Sequence, residues 1–217
     1  MAQLPESAAA LDKEVMELLQ SHRYDPTILP RLEEFVNCQV THNFCDPETN
    51  LAVLKLYQFH PETYNASTVS KILIKALMNL PTSDFLCSLY LIPERRQIDE
   101  PIPVISHLAQ LLETGRFTDF WAASGSCAQL LASVPGSLDA VRDFMMDVVS
   151  RTYKSIDVPI LAEILNLDEP GVVAAANARG WNLANGTVTC PSTEENQPRP
   201  PTLDEHLSFR QVASKML

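Results

Sequence analysis

Trp181-Asn182-Leu183-Ala184-Asn185-Gly186-Thr187-Val188-Thr189-Cys190 is the stretch from which the fold can be worked out. Two β-prone runs flank Asn185-Gly186. Both residues tolerate positive φ, and Asn-Gly between such runs is the strongest short hairpin signal. Immediately upstream, Glu169 to Arg179 reads as a short helix that stops at Gly180. A tight turn at Asn166 to Asp168 separates it from another short helix, Ile160 to Leu165. Before that, Leu138, Val141, Phe144, Met145, Val148, Val149 and Tyr153 mark one long helical stripe. Helix, helix-turn-helix and two-stranded wing is the element order of a winged helix. The strands are expected only between Trp181 and Cys190.

Further upstream the pattern is helical throughout. Asp25-Pro26 and Asp46-Pro47 read as helix starts: Asp accepts an orphan N–H, and Pro at the first position has no donor to lose. Apolar stripes follow at helical spacing. They are Leu11 to Leu19, Leu29 to Val40, Leu51 to Tyr57, Val69 to Leu80, Phe85 to Ile92 and Ile102 to Leu112, the last closed by Gly115. Helices of this length with one apolar face stack as antiparallel pairs, either in a short irregular solenoid or in a plain bundle. Spacing alone does not separate the two, and no exact repeat is present. Downstream, Pro191 to Pro201 is a polar, Pro-rich linker. It leads to an amphipathic helix carrying Leu203, Leu207, Phe209, Val212 and Met216.

Composition narrows the function. The chain has 217 residues, 16 basic and 27 acidic, for a formal charge of −11. Such a balance opposes phosphate, whose capture rests on Lys and Arg displacing counterions, and it opposes anionic membrane surfaces. From Asp157 to Cys190, Asp157, Glu163, Asp168 and Glu169 outnumber the single cation, Arg179. The second helix of the turn unit is small and apolar, a face for protein and not for DNA. Six Gly are too few and too scattered for a phosphate loop, and no nucleophile elbow occurs. No secretion signal or membrane span is expected; the longest apolar run, Phe85 to Ile92, is too short to cross a bilayer.

Five Cys, with no CxxC, read as reduced thiols of a cytosolic or nuclear protein. Cys38, His42 and Cys45 have the spacing of partial metal ligands, but a fourth is not evident; a thiol packed in a helix beside a solvent-facing His is the plainer account. No metal, cofactor or catalytic group is expected.

Several segments resemble a known family. A helical domain leading into a winged helix is similar to the PCI family, the scaffold subunits of the proteasome lid, the COP9 signalosome and translation initiation factor 3. Asn50-Leu51-Ala52-Val53-Leu54-Lys55-Leu56-Tyr57-Gln58-Phe59 resembles the subunit K family of the initiation factor. So do Lys75 to Pro81 with Asp84-Phe85, and Leu111 to Thr114 with Phe117, Phe120 and Trp121. Leu161 to Glu163 and Gly180-Trp181 sit where that family has its winged helix. The resemblance runs from Tyr24 to Cys190.

It implies a HEAT-like helical repeat domain at 1–134, a winged-helix domain at 135–191, and a linker with a C-terminal amphipathic helix at 192–217. It also implies a non-catalytic cytoplasmic scaffold subunit of the factor that binds the small ribosomal subunit, with subunit L as nearest partner. The rivals are a PCI subunit of the proteasome lid or signalosome, and a winged-helix nucleic-acid regulator. Candidate contact residues are Trp181, Leu183 and Val188 on the wing, with Leu203, Leu207, Phe209, Val212 and Met216 in the tail. Trp181 is equally a candidate core anchor of the winged helix.

Overall fold

The computed structural model describes residues 6–197 and, in the C-terminal tail, Ala213 alone. Leu203, Leu207, Phe209, Val212 and Met216 therefore lie outside the described residues. The chain is mostly helical with one small antiparallel sheet. The helices are α1 (Glu6–His22), α2 (Leu29–His42), α3 (Pro47–Phe59), α4 (Ala66–Met78), α5 (Asp84–Leu91), α6 (Glu94–Gln97), α7 (Ile102–Glu113), α8 (Phe117–Ser124), α9 (Ala128–Ala132) and α10 (Ser137–Thr152). Strand β1 (Ser155–Asp157) follows, then α11 (Val158–Leu165), α12 (Glu169–Ala178), β2 (Asn182–Ala184) and β3 (Thr187–Thr189).

Local chemistry sets the helix ends. The Asp46 carboxylate accepts from Glu48 N at 3.2 Å and from the Thr49 hydroxyl, and Asn65 Oδ1 accepts from Ser67 N at 3.1 Å. Asn43 and Asn166 end α2 and α11 in the left-handed conformation, which Asn tolerates better than most residues. Asp25-Pro26 starts only a 3₁₀ turn, Pro26–Ile28, and α2 begins at Leu29. Pro30 is the reason. In a continuous α-helix from Pro26 its ring would meet the Pro26 carbonyl and it could offer no N–H.

Helix α4 lies at the centre. Val69, Ile72, Leu73, Ile74, Ala76 and Leu77 are all buried, and the helix packs on α2, α3, α5, α7 and α10. A helix with so broad an apolar face must be covered by several neighbours, and only the side of Ser67 and Lys71 stays open. Its Lys75 is only 3% exposed; the ammonium donates to Asn43 Oδ1 at 2.9 Å, and burial lowers its pKa. Between α2 and α3 the buried amides of Gln39 and Asn50 bond reciprocally at 3.0 and 3.2 Å, and Gln39 Oε1 also accepts from Asp46 N at 3.0 Å. Among the described residues no fully buried side-chain nitrogen or oxygen lacks a partner.

One apolar core runs from α1 to β3 without a break. Its polar fastening is at the end of α11. Trp121 Nε1 on α8 donates to the Ile164 carbonyl at 2.8 Å, and Arg142 Nε on α10 donates to the Leu165 carbonyl at 3.3 Å. The Arg142 guanidinium lies 5.2 Å from the centroid of the Trp121 indole. Carbonyls that would be orphaned at the helix end are met by two side chains from the helices preceding it.

The sheet order is β1-β3-β2, all antiparallel. This corrects the two-strand expectation: β1 lies outside Trp181–Cys190. Ser155-Ile156-Asp157 is too short to show a period of two, and it becomes a strand only because β3 supplies its hydrogen-bonding edge.

Substituting Trp121 by Phe keeps a six-membered aromatic ring but deletes the fused five-membered ring and with it the donor to Ile164. It should lower unfolding free energy by about 1 kcal/mol in urea titrations; Trp121→Ala should cost more, since the contacts of the indole with Phe120 and Arg142 go too. A second expectation concerns alkaline pH. Burial pushes the Cys45 thiol up to about 11. The folded state thus favours the neutral thiol. That contribution is fully present below an unfolded thiol pKa of about 8.5 and is lost as pH rises through the folded value. Cys38, Cys127, Cys190, Tyr57 and Tyr64 are raised by the same cause, while Lys75 acts in the opposite sense. Unfolding free energy should therefore fall above pH ~8.5, and less steeply in Cys45→Ala. A slope unchanged by Cys45→Ala would refute the assignment.

Candidate protein-interaction surface

The C-terminal unit is built on β3. Ile156, Val188 and Leu183 share one row across the three strands. Val188 is fully buried and Trp181 is 5% exposed, both packed in the core with Val172, Ala176 and Leu161. Leu183, at the margin, is 37% exposed. Of the three wing candidates, the structure places Trp181 and Val188 inside the unit and Leu183 at its surface. The hairpin is tied down at both ends: Val158 N donates to the Gly186 carbonyl and Cys190 N to the Lys154 carbonyl, each at 3.0 Å.

Strand β2 pairs with β3 alone among the described residues. All three of its residues are exposed. An edge with nothing paired on its outer side is a template on which an extended segment can add a strand. Ile160, on the outer side of α11, is 51% exposed, and Tyr153, at the end of α10, is 48% exposed. These two were missed because each stripe was assigned to the core by spacing, which does not say which of its members the neighbours leave uncovered.

Helix α12 would be the reading element if this unit met nucleic acid. Its cap is Asp168, whose Oδ1 accepts from Gly171 N at 3.1 Å. A Cβ at Gly171 would come 2.7 Å from that oxygen, so a larger residue there would push the Asp168 carboxylate aside. The solvent side carries Glu169, Pro170, Ala174, Asn177 and Ala178, with no cation. Arg179, at the end, is turned back onto α10. It donates to the Asp143 carboxylate at 2.9 Å and carbonyl at 3.0 Å, and to the Asp147 carboxylate. The one cation between Asp157 and Cys190 is thus held by two carboxylates and faces no incoming phosphate.

The linker is partly fixed. Asn196 is 9% exposed; its Nδ2 donates to the Ser150 carbonyl at 3.0 Å and the Pro191 carbonyl at 2.7 Å, and its Oδ1 accepts from Thr193 N at 2.9 Å. Arg151 and Glu195 approach to 3.5 Å. The chain therefore leaves the described part beside the C-terminus of α10. A lone Asn in a polar linker gave no signal of this.

Cys38 and His42 line the groove between α1 and α2, whereas Cys45 faces Asn50, whose Nδ2 lies 3.8 Å from its sulfur. Among the described residues no group of three or more His, Cys, Asp or Glu is placed to hold a metal, and no helix is long and apolar enough to cross a membrane.

Comparison with known proteins agrees with this architecture. Residues 63–202 match the CSN8/PSMD8/EIF3K family. A Xenopus laevis chain named eukaryotic translation initiation factor 3 subunit K is 40% identical over 196 residues, 89% of each chain. The Homo sapiens protein of that name is 37% identical over 195 residues, again 89% of each. The Dictyostelium discoideum one is 34% identical over 192 residues, 87% of this chain and 78% of its own. With the helical array, the terminal hairpin unit and near full-length similarity together, the chain belongs to the CSN8/PSMD8/EIF3K family, grouping with its members named translation initiation factor 3 subunit K.

Proposed function

We propose that this chain is a non-catalytic, cytoplasmic scaffold subunit of eukaryotic translation initiation factor 3. It joins the factor through its C-terminal third, with subunit L as direct partner, and meets the small ribosomal subunit through the complex. The same reading divides the chain into a helical repeat unit (1–134), a winged-helix unit (135–191) and a linker with tail (192–217). The observation that supports it best is the electrostatics of the C-terminal unit. Its reading helix is acidic and apolar, Arg179, the one cation between Asp157 and Cys190, is bound by Asp143 and Asp147, and the edge of β2 is open beside exposed Leu183. Such a surface suits protein, by strand addition and apolar contact, and repels phosphate.

The tail deepens the reading. Leu203, Leu207, Phe209, Val212 and Met216 form an apolar stripe in sequence. Each such side chain fully buried against a partner contributes about 1.5–3 kcal/mol before ordering costs. Deleting 202–217 should therefore weaken the affinity for subunit L by tenfold or more, roughly the loss of one such side chain. Leu207→Asp, Val212→Asp and Leu183→Asp should act in the same direction by carrying an unpaired charge into the contact. The measurements are calorimetric affinity for purified subunit L and copurification with the factor, beside thermal melting of each variant alone. Unchanged assembly would place the interface elsewhere. Recovery of proteasome-lid or signalosome subunits in place of initiation-factor subunits would overturn the proposal.

A further inference from the structure

We propose that the outer face of α5, continued over Leu51, Lys55 and Phe59 of α3, is a second docking surface. Its occupant is an amphipathic helix of another protein chain that carries a carboxylate within its apolar stripe. The surface involves neither the wing nor the tail. It rests on the proposed function only in that the chain works inside a larger assembly.

Helix α5 is apolar on both sides. Phe85 and Ser88 are buried against α3 and α4, as its inner face requires. The opposite side carries Leu86, Cys87 and Tyr90; Leu86 is 46% and Tyr90 73% exposed. The charge at its start, Asp84, is held by Asn79 and by the Thr82 hydroxyl at 2.8 Å. Where α4 buries all of its large apolar residues but Met78, α5, whose one charge is Asp84, leaves Leu86, Cys87 and Tyr90 uncovered.

The exposed face does not stop at α5. Leu91 shares a depression of about 220 Å³ with Leu51, Ala52, Lys55, Tyr24 and Arg23. Leu51, Lys55 and Phe59 recur at every fourth position of α3, one stripe of that helix. Phe59 is 51% and Tyr24 65% exposed, with their rings edge to face at 5.9 Å. Two neighbouring helices with apolar outer stripes and a depression between them form a seat for a third helix.

Charge selects the occupant. Lys55 stands in the middle of the apolar stripe, half-buried. Its Nζ donates to Gln58 Oε1 at 2.8 Å and lies 4.9 Å from the centroid of the Phe59 ring. In a chain with 27 acidic residues, none of those described lies within ion-pair distance of it, and Arg23 alongside is already bound to Glu48. A helix that covers this face removes the ammonium from water, which is costly unless it brings an acceptor of opposite charge. A second copy docking by two-fold symmetry would bring the same face, whose stripe of Leu51, Lys55, Phe59, Leu86 and Tyr90 carries no carboxylate, against Lys55.

The test is made in the intact factor. A photo-crosslinking benzoylphenylalanine replaces Tyr90 or Leu86, one at a time, in cells, and the factor is purified through a tag on a different subunit. The expected result is a crosslink to one other chain, in a segment whose apolar residues recur at i, i+3, i+4 and i+7 with an Asp or Glu among them. Lys55→Glu should lower that crosslink yield by about tenfold, the scale of losing one central contact. Its melting temperature should fall only slightly, because the side chain makes one hydrogen bond and one ring contact within its own helix and no ion pair. Crosslinks to residues 198–217 of the same chain, to a second copy or to RNA would each overturn the inference, as would no crosslink from a chain that still copurifies. An undiminished yield in Lys55→Glu would overturn the charge match and the occupant with it. Failure of the chain to enter the factor at all is the separate result that removes the proposed function.

Discussion

The enclosure of α4 is the constraint on which the rest depends. Its sequence offers only a narrow polar stripe, Ser67 and Lys71, to solvent, so other helices must cover the rest. Five do, and they come from both ends of the chain: α2 and α3 from before it, α5 and α7 from after it, and α10 from the base of the C-terminal unit. Dispersion and burial collected around one axis make the core continuous from α1 to β3. Lys75 shows how strictly the helix is enclosed. Of its two lysines Lys75 is buried, and it is tolerated because Asn43, in a left-handed conformation at the end of α2, presents an oxygen to it.

The C-terminal unit inherits its placement from that core. Helix α10 touches α4 on one side and α11 on the other, and Trp121 with Arg142 closes the carbonyl end of α11. The open edge of β2 and the fixed linker at Asn196 are therefore held at a defined position relative to the helices. A rigid display of this kind lowers the ordering cost of association, which is what a scaffold contributes to an assembly. Arg179 bound to Asp143 and Asp147 on α10 serves the same end, and leaves the unit with an acidic, phosphate-repelling face.

Helices α4 and α5 make an informative pair. Both are apolar beyond what one buried stripe needs. Helix α4 is covered by this chain on all but its Ser67 and Lys71 side, and α5 is covered on one. The difference lies in connectivity: α5 comes after the first hairpins have closed on α4, and α6 turns back at its end, with Gln97 Nε2 donating to the Leu89 and Ile92 carbonyls. No later helix passes over the outer face of α5 among the described residues.

Much was legible in the chain itself. Helical periodicity, the Asp-Pro start at Asp46, the stops at Gly115 and Gly180 and the Asn185-Gly186 turn are local signals, set by backbone sterics and by side chains bonding to their own neighbours. They gave the mostly helical class, the hairpin and the acidic character of α12. The restart of α2 after Pro26–Ile28 is local as well, a clash of Pro30 with the preceding turn that the stripe from Leu29 to Val40 concealed. Two features were decided by tertiary structure. Strand β1 is three residues that pair because β3 lies beside them. Which apolar residues remain outside, Leu183 but not Val188, Tyr90 but not Phe85, follows from which neighbours arrive to cover them. Spacing along one element fixes the face on which a residue stands; only packing between elements distant in sequence determines whether that face meets water.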